Sequence, residues 1–129
     1  MSQAHISKNN FAVWFEIPTQ DFQRAIQFYQ DIFQCQLRQE NMGPMQLAVF
    51  PYAGEAVSGA LISGQGATPS SDGCVVYLNA GPDLRQVLAR VEKKGSQVLI
   101  PRTKISDEVG YFAQFMDSEG NRIGIHSIN

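Results

Sequence analysis

Few side chains in this 129-residue chain are placed to do chemistry. Only two histidines occur, His5 near the start and His126 near the end, and no base sits beside a serine or cysteine that it could activate. Glu16, in the phrase VWFEIP, is the most suggestive polar group because Trp14 stands two residues before it. A carboxylate held against an aromatic ring on a rigid strand is the kind of group that serves as a general base or a ligand anchor. The competing reading is that Glu16 pairs with Arg122 or caps a strand end. His126, Gly124 and Arg122 alternate along the last apolar stretch and so share one side of a strand. Trp14, Tyr77, Asn79 and Tyr111 would line an apolar pocket with polar tips. Glu119 and Asn121 read as turn chemistry. A divalent metal wants three protein ligands and an open position, so Glu16 and His126 would need one further oxygen.

Those residues need strands to hold them. Residues Phe11–Ile17 alternate, with Val13, Phe15 and Ile17 on one side and Ala12, Trp14 and Glu16 on the other. Pro18 closes the strand, and Thr19 or Asp21 caps the helix that follows. Phe22, Ala25, Ile26, Tyr29 and Phe33 form its apolar stripe, which covers the Val13/Phe15/Ile17 side. The Trp14/Glu16 side is left open. Strands are then predicted at Cys35–Glu40, Met45–Pro51 and Val57–Ile62, with a turn at Asn41–Pro44.

Residues 64–72 are rich in Gly and Ser and make the natural linker. The Gly64-x-Gly66 pair lacks the Lys-Ser/Thr and the helix of a phosphate loop. The pattern then repeats. Cys74–Ala80 is a strand with Val76, Leu78 and Ala80 on one side and Val75, Tyr77 and Asn79 on the other. Gly81-Pro82-Asp83 opens a helix whose stripe is Leu84, Val87, Leu88 and Val91. Strands at Gln97–Pro101, Tyr111–Met116 and Arg122–Ser127 complete the half. Two βαβββ modules, about 11–63 and 73–127, make one α+β domain with an eight-stranded curved sheet and an open cleft.

Composition narrows the partners. With 43% hydrophobic and 17% charged residues the chain is an ordinary globular one, and a net charge of −2 with scattered cations argues against nucleic acid. No apolar run is long enough to span a bilayer, and the polar opening MSQAHISKNN does not read as a signal peptide, so the expected location is the cytoplasm. Cys35 and Cys74 belong to no CxxC pattern and read as buried, reduced thiols.

The helix phrase RAIQFYQDIFQ, the closing phrase DSEGNRIGIH and the doubled module resemble the glyoxalase/bleomycin-resistance/extradiol-dioxygenase superfamily, the vicinal oxygen chelate proteins. WFEIP followed by such a helix is similar to a subgroup described as related to lactoylglutathione lyase. The resemblance covers residues 11–127. It implies metal ligands, His or Glu, on the first and last strands of each module. Carried over, these positions fall at Ala12, on the strand Val57–Ile62, at Val75 and at Gly124, and none offers a ligand side chain. The resemblance therefore implies a small-molecule-binding protein without the usual metal site or other cofactor, and a homodimer, since members commonly pair. The alternative is a lyase or isomerase using Glu16 and His126, with or without a divalent metal.

Overall fold

The computed structural model describes residues 10–129. His5 and most of the expected N-terminal arm lie outside the described residues. The element order is β1 (Trp14–Pro18), α1 (Phe22–Phe33), β2 (Arg38–Met42), β3 (Met45–Val49), β4 (Ser58–Ser63), β5 (Tyr77–Asn79), α2 (Leu84–Lys93), β6 (Val98–Ser106), β7 (Gly110–Met116) and β8 (Arg122–Ser127). This is the doubled βαβββ order expected of the α+β fold.

The expected single eight-stranded curved sheet is corrected: the strands form two four-stranded sheets, ordered β1-β4-β3-β2 and β5-β8-β7-β6. The hydrogen-bond ladders stop at the seam between modules. In each sheet the first strand runs parallel to the last and the remaining pairs are antiparallel. The two modules repeat one register. Ile17 faces Leu61 as Leu78 faces Ile125, and Ala48 faces Leu61 as Ala113 faces Ile125. The Thr19 N–H donates to the Ile62 carbonyl at 2.9 Å, as the Ala80 N–H does to that of His126 at 2.8 Å.

Each helix starts as its sequence dictates. Asp21 and Asp83 are the N-caps, accepting from the Arg24 and Arg85 N–H groups at 3.2 and 3.0 Å. The stripe of α2 is as expected, but that of α1 is wider. Phe28 and Ile32 are buried with Phe22, Ala25, Ile26 and Tyr29, while Phe33 is only half-buried. The reason is that α1 packs on two sides. Its inner side covers its own sheet, and Phe28 reaches Phe115 of the second module with ring centroids 6.2 Å apart. One apolar core thus takes in both helices and the inner sides of both sheets. Each core side chain of this size contributes about 1.5–3 kcal/mol.

A polar cluster at the β7–β8 turn ties the modules together. Glu119 accepts the Gln20 and Asp21 N–H groups at 2.8 and 2.6 Å and the Arg24 Nε–H at 2.9 Å. It brings negative charge to the first turn of α1, which has no acidic residue of its own. Burial alone would push this carboxyl up, but Arg24, the two backbone N–H groups and the Ser118 hydroxyl together bring it down to about 2. Asp117 accepts the buried Tyr29 hydroxyl at 2.6 Å, and Asn121 donates to the Pro18 carbonyl at 2.8 Å. Turn chemistry was the expectation for Glu119 and Asn121; the turn also serves as the clasp between modules.

Candidate functional site

Strand parity decides which side chains leave the core. On β1, Phe15 and Ile17 turn inward, and Trp14 and Glu16 turn out, as their alternation predicts. Glu16 is exposed, and its hydrogen bond comes from the Trp14 indole N–H at 3.4 Å. Among the described residues neither Arg122 nor His126 hydrogen-bonds or ion-pairs with it. Both the expected Glu16–Arg122 pair and the expected Glu16–His126 couple are therefore corrected. Glu16 stands on the edge strand of the first sheet, while the other two project from β8 in the second sheet.

The open side of the second sheet is more elaborate. Tyr77 on β5 faces Gly124 on β8, which faces Gln114 on β7. The Tyr77 ring lies across Gly124, so closely that a Cβ at this glycine would collide with it. Its hydroxyl accepts from the Gln114 Nε2 at 2.6 Å, and the Gln114 Oε1 accepts from the Arg122 guanidinium at 2.8 Å. Arg122 also reaches the Ser71 carbonyl at 3.4 Å and forms no ion pair among the described residues. Beside this string lies an apolar cleft of about 360 Å³, lined by Tyr77, Ile105, Phe112 and His126. Tyr77 and Phe112 meet edge to face at 6.1 Å. The His126 Nε2–H donates to the Val109 carbonyl at 2.6 Å, a bond that fixes the tautomer because a carbonyl only accepts.

Three expectations need correction. Tyr111 lies on the inner side with Ala113 and Phe115, half-buried against the core under the Arg102 guanidinium, 3.7 Å from the ring centroid. Asn79 lines a different cleft, about 280 Å³ at the seam, with Phe15, Phe33, Cys35, Phe50, Pro51, Val57, Ser58 and Leu78. Of the thiols expected to be buried, Cys35 is half-buried, with burial pushing its pKa up, but Cys74 is exposed because β5 starts only at Tyr77. Sequence reading also missed Phe112, Gln114 and Ile105. The inward parity of Ala113 and Phe115 was enough to find the first two. Ile105 lay beyond the expected end of its strand, which runs on to Ser106.

The repeated register tests the metal positions. Aligning Leu78–Ile125 on Ile17–Leu61 sets Gly124 against Ala60 and Val75 against Trp14. The first-strand position is therefore Trp14, and Ala12 precedes the strand. Trp14, Ala60, Val75 and Gly124 have no side-chain lone pair for a cation, the indole N–H being a donor only. The residues present do not fit the metal of the metal-using members at these positions. Among the described residues, no three His, Cys, Asp or Glu side chains gather elsewhere.

The glyoxalase I mutant E144Q from Zea mays superposes with a TM-score of 0.67 at 14% identity over 88% of this chain, which spans 44% of that protein. Leishmania major glyoxalase I, described as trypanothione-dependent, gives 0.66 at 16% identity, covering 93% of this chain and 88% of that one. TnmS3, an antibiotic-binding protein from Streptomyces sp. CB03234, gives 0.66 at 22% identity, covering 94% and 98%. At these identities the likeness establishes the fold alone. No curated protein is significantly similar in sequence. The sequence pattern of one family matches residues 11–125, and on that match the chain belongs to the Glyoxalase/Bleomycin resistance protein/Dioxygenase superfamily.

Proposed function

We propose that this chain binds a small organic molecule on the open side of its second sheet and does so without a catalytic metal. The observation that carries this reading is the Tyr77 ring over Gly124. Where metal-using members place their last ligand, this chain has no side chain, and an aromatic ring occupies the space beside it. The adjoining cleft is apolar and large enough for a small ring system. The antibiotic-binding activity of TnmS3 is an example of ligand binding on this fold. The lyase or isomerase reading has less support, because Glu16 is exposed and His126 is turned toward Val109. The chain works as a homodimer in this proposal. Phe11, Val13, Trp14 and Val57 expose apolar surface around the start of β1 and β4, and a second copy would cover it. The unpaired thiols suit a reducing cytoplasm.

The test is metal analysis of protein purified without chelator, together with titration by the neutral planar dye Nile red before and after EDTA. Dye binding that EDTA leaves unchanged, with metal far below one equivalent, is the expected result. A stoichiometric divalent ion overturns the metal-free reading, and a dye that fails to bind removes the apolar site. Sedimentation at high micromolar concentration should show a dimer; a species of 14.3 kDa would remove that part.

A further inference from the structure

We infer that the molecule held on this face is a planar aromatic acid, with its ring in the Tyr77/Phe112/Ile105 cleft and its carboxylate toward Tyr77 and Arg122. The inference rests on the binding reading above and adds the ligand's charge and polarity. It follows from the direction of one chain of hydrogen bonds.

Arginine has donors and no acceptor. The Gln114 amide must therefore turn its Oε1 to Arg122, as it does at 2.8 Å. That leaves the amide NH₂ pointing at Tyr77, which it meets at 2.6 Å. The Tyr77 oxygen is thereby an acceptor, and its own hydrogen must point elsewhere. It has no acceptor among the described residues. Tyr77 is 46% exposed, whereas Gln114 is 8% exposed and hydrogen-bonded at both ends of its amide. The face thus presents an obligate hydroxyl donor at Tyr77 and, on the other side of the same amide, a cation with no carboxylate partner among the described residues. Tyr77 is a donor in the wall of the apolar cleft, and Arg122 lies beyond it across the Gln114 amide. A donor with a cation behind it calls for a ligand that brings oxygen acceptors and negative charge, and a hydrogen bond between charged partners is about twice as strong as a neutral one. Gly124 matters here as well, since its bare backbone lets the ring lie flat enough for the hydroxyl to reach Gln114.

The test compares 2-naphthoate with its neutral isostere 2-naphthamide, by calorimetry on the full-length chain. Wild-type protein should prefer the acid by about tenfold, a difference of about 1.4 kcal/mol. Gln114→Glu is the discriminating variant. A carboxylate at 114 keeps its partner Arg122 but must accept the Tyr77 hydroxyl hydrogen, so it consumes the donor and neutralises the cation. It should lose naphthoate about tenfold or more, hold naphthamide within about threefold, and keep its melting temperature within about 3 °C. Tyr77→Phe should weaken naphthoate by about fivefold. Equal wild-type affinities, no binding of either compound, or an unchanged naphthoate affinity in both variants overturns the inference. Nile red binding would still stand in those cases, so failure of the acid is separable from failure of the site.

Discussion

The two modules agree on their inner sides and differ on their outer ones. Inside, Ile17, Ala48 and Leu61 of the first module stand where Leu78, Ala113 and Ile125 stand in the second. Outside, the same register sets Glu16 against Tyr77, Ala60 against Gly124, Val49 against Gln114 and Ile62 against His126. The inner positions answer to packing, where one methylene too many or too few is felt, and so the same residue classes recur. The outer positions are also packed, but each module packs them with different chemistry. The first module has made its outer side mostly apolar, with Leu47, Val49, Ala60 and Ile62 packed together, while the second has acquired the Arg122–Gln114–Tyr77 string. The residues that differ are the ones to examine for function.

The largest expected effect is on the clasp that joins the two halves. Glu119→Ala removes a buried carboxylate and leaves the Gln20 and Asp21 N–H groups just ahead of α1, and the half-exposed Arg24, without their acceptor. It should cost about 3 kcal/mol, lowering the melting temperature by about 10 °C. A loss below about 1 kcal/mol in urea unfolding would mean that the shared apolar core alone holds the modules together.

Acid should act through the same carboxyl. Its folded pKa of about 2 lies below the ordinary value of 4.5, so its contribution is fully present above pH 4.5 and is lost as pH falls toward 2. Wild-type and Glu119→Gln melting temperatures should converge across that window. Parallel curves would show that Glu119 does not carry the acid response.

Gly59 and Gly124 sharpen the contrast between inner and outer sides. A Cβ at Gly59 would strike the Phe15 backbone carbonyl as well as its ring, and neither can move far inside the core. Gly59→Ala should cost about 2 kcal/mol. At Gly124 the obstacle is the half-exposed Tyr77 ring, which can swing away. Gly124→Ala should cost less than about 1 kcal/mol while abolishing naphthoate binding. Equal stability losses would undo the distinction between the two sides.

The smallest effect belongs to Glu16. It is exposed and hydrogen-bonded only to its neighbour Trp14, so Glu16→Gln should change stability by less than about 0.5 kcal/mol. It should also leave naphthoate affinity unchanged. A larger change in either would return Glu16 to the binding site.

Alternation and helical spacing made both modules, the outward turn of Trp14 and Tyr77, and the stripe of α2 legible from sequence, because each depends on near neighbours. The α1 stripe is wider than its own period indicates because Phe28 packs on Phe115 of the other module, which no local period encodes. Arg122 and Tyr77 were nameable from parity. The link between them was not, since Gln114 enters from a third strand and its role depends on which way an amide faces. Tyr111 was misplaced because it was read from the loop before it rather than from Ala113 and Phe115 after it.

The clasp also bears on the order in which the chain can fold during synthesis. Residues 117–121 hold Pro18, Gln20, Asp21, Arg24 and Tyr29, partners separated by 88 to 103 positions. The first module leaves the ribosome with the Gln20 and Asp21 N–H groups and the Tyr29 hydroxyl lacking their folded-state acceptors and with Phe28 lacking its neighbour Phe115. Those contacts close only once nearly the whole chain has emerged, and loops of that length close late and slowly. A nascent first module is therefore the species most exposed to aggregation, and the last turn to be made completes the first helix.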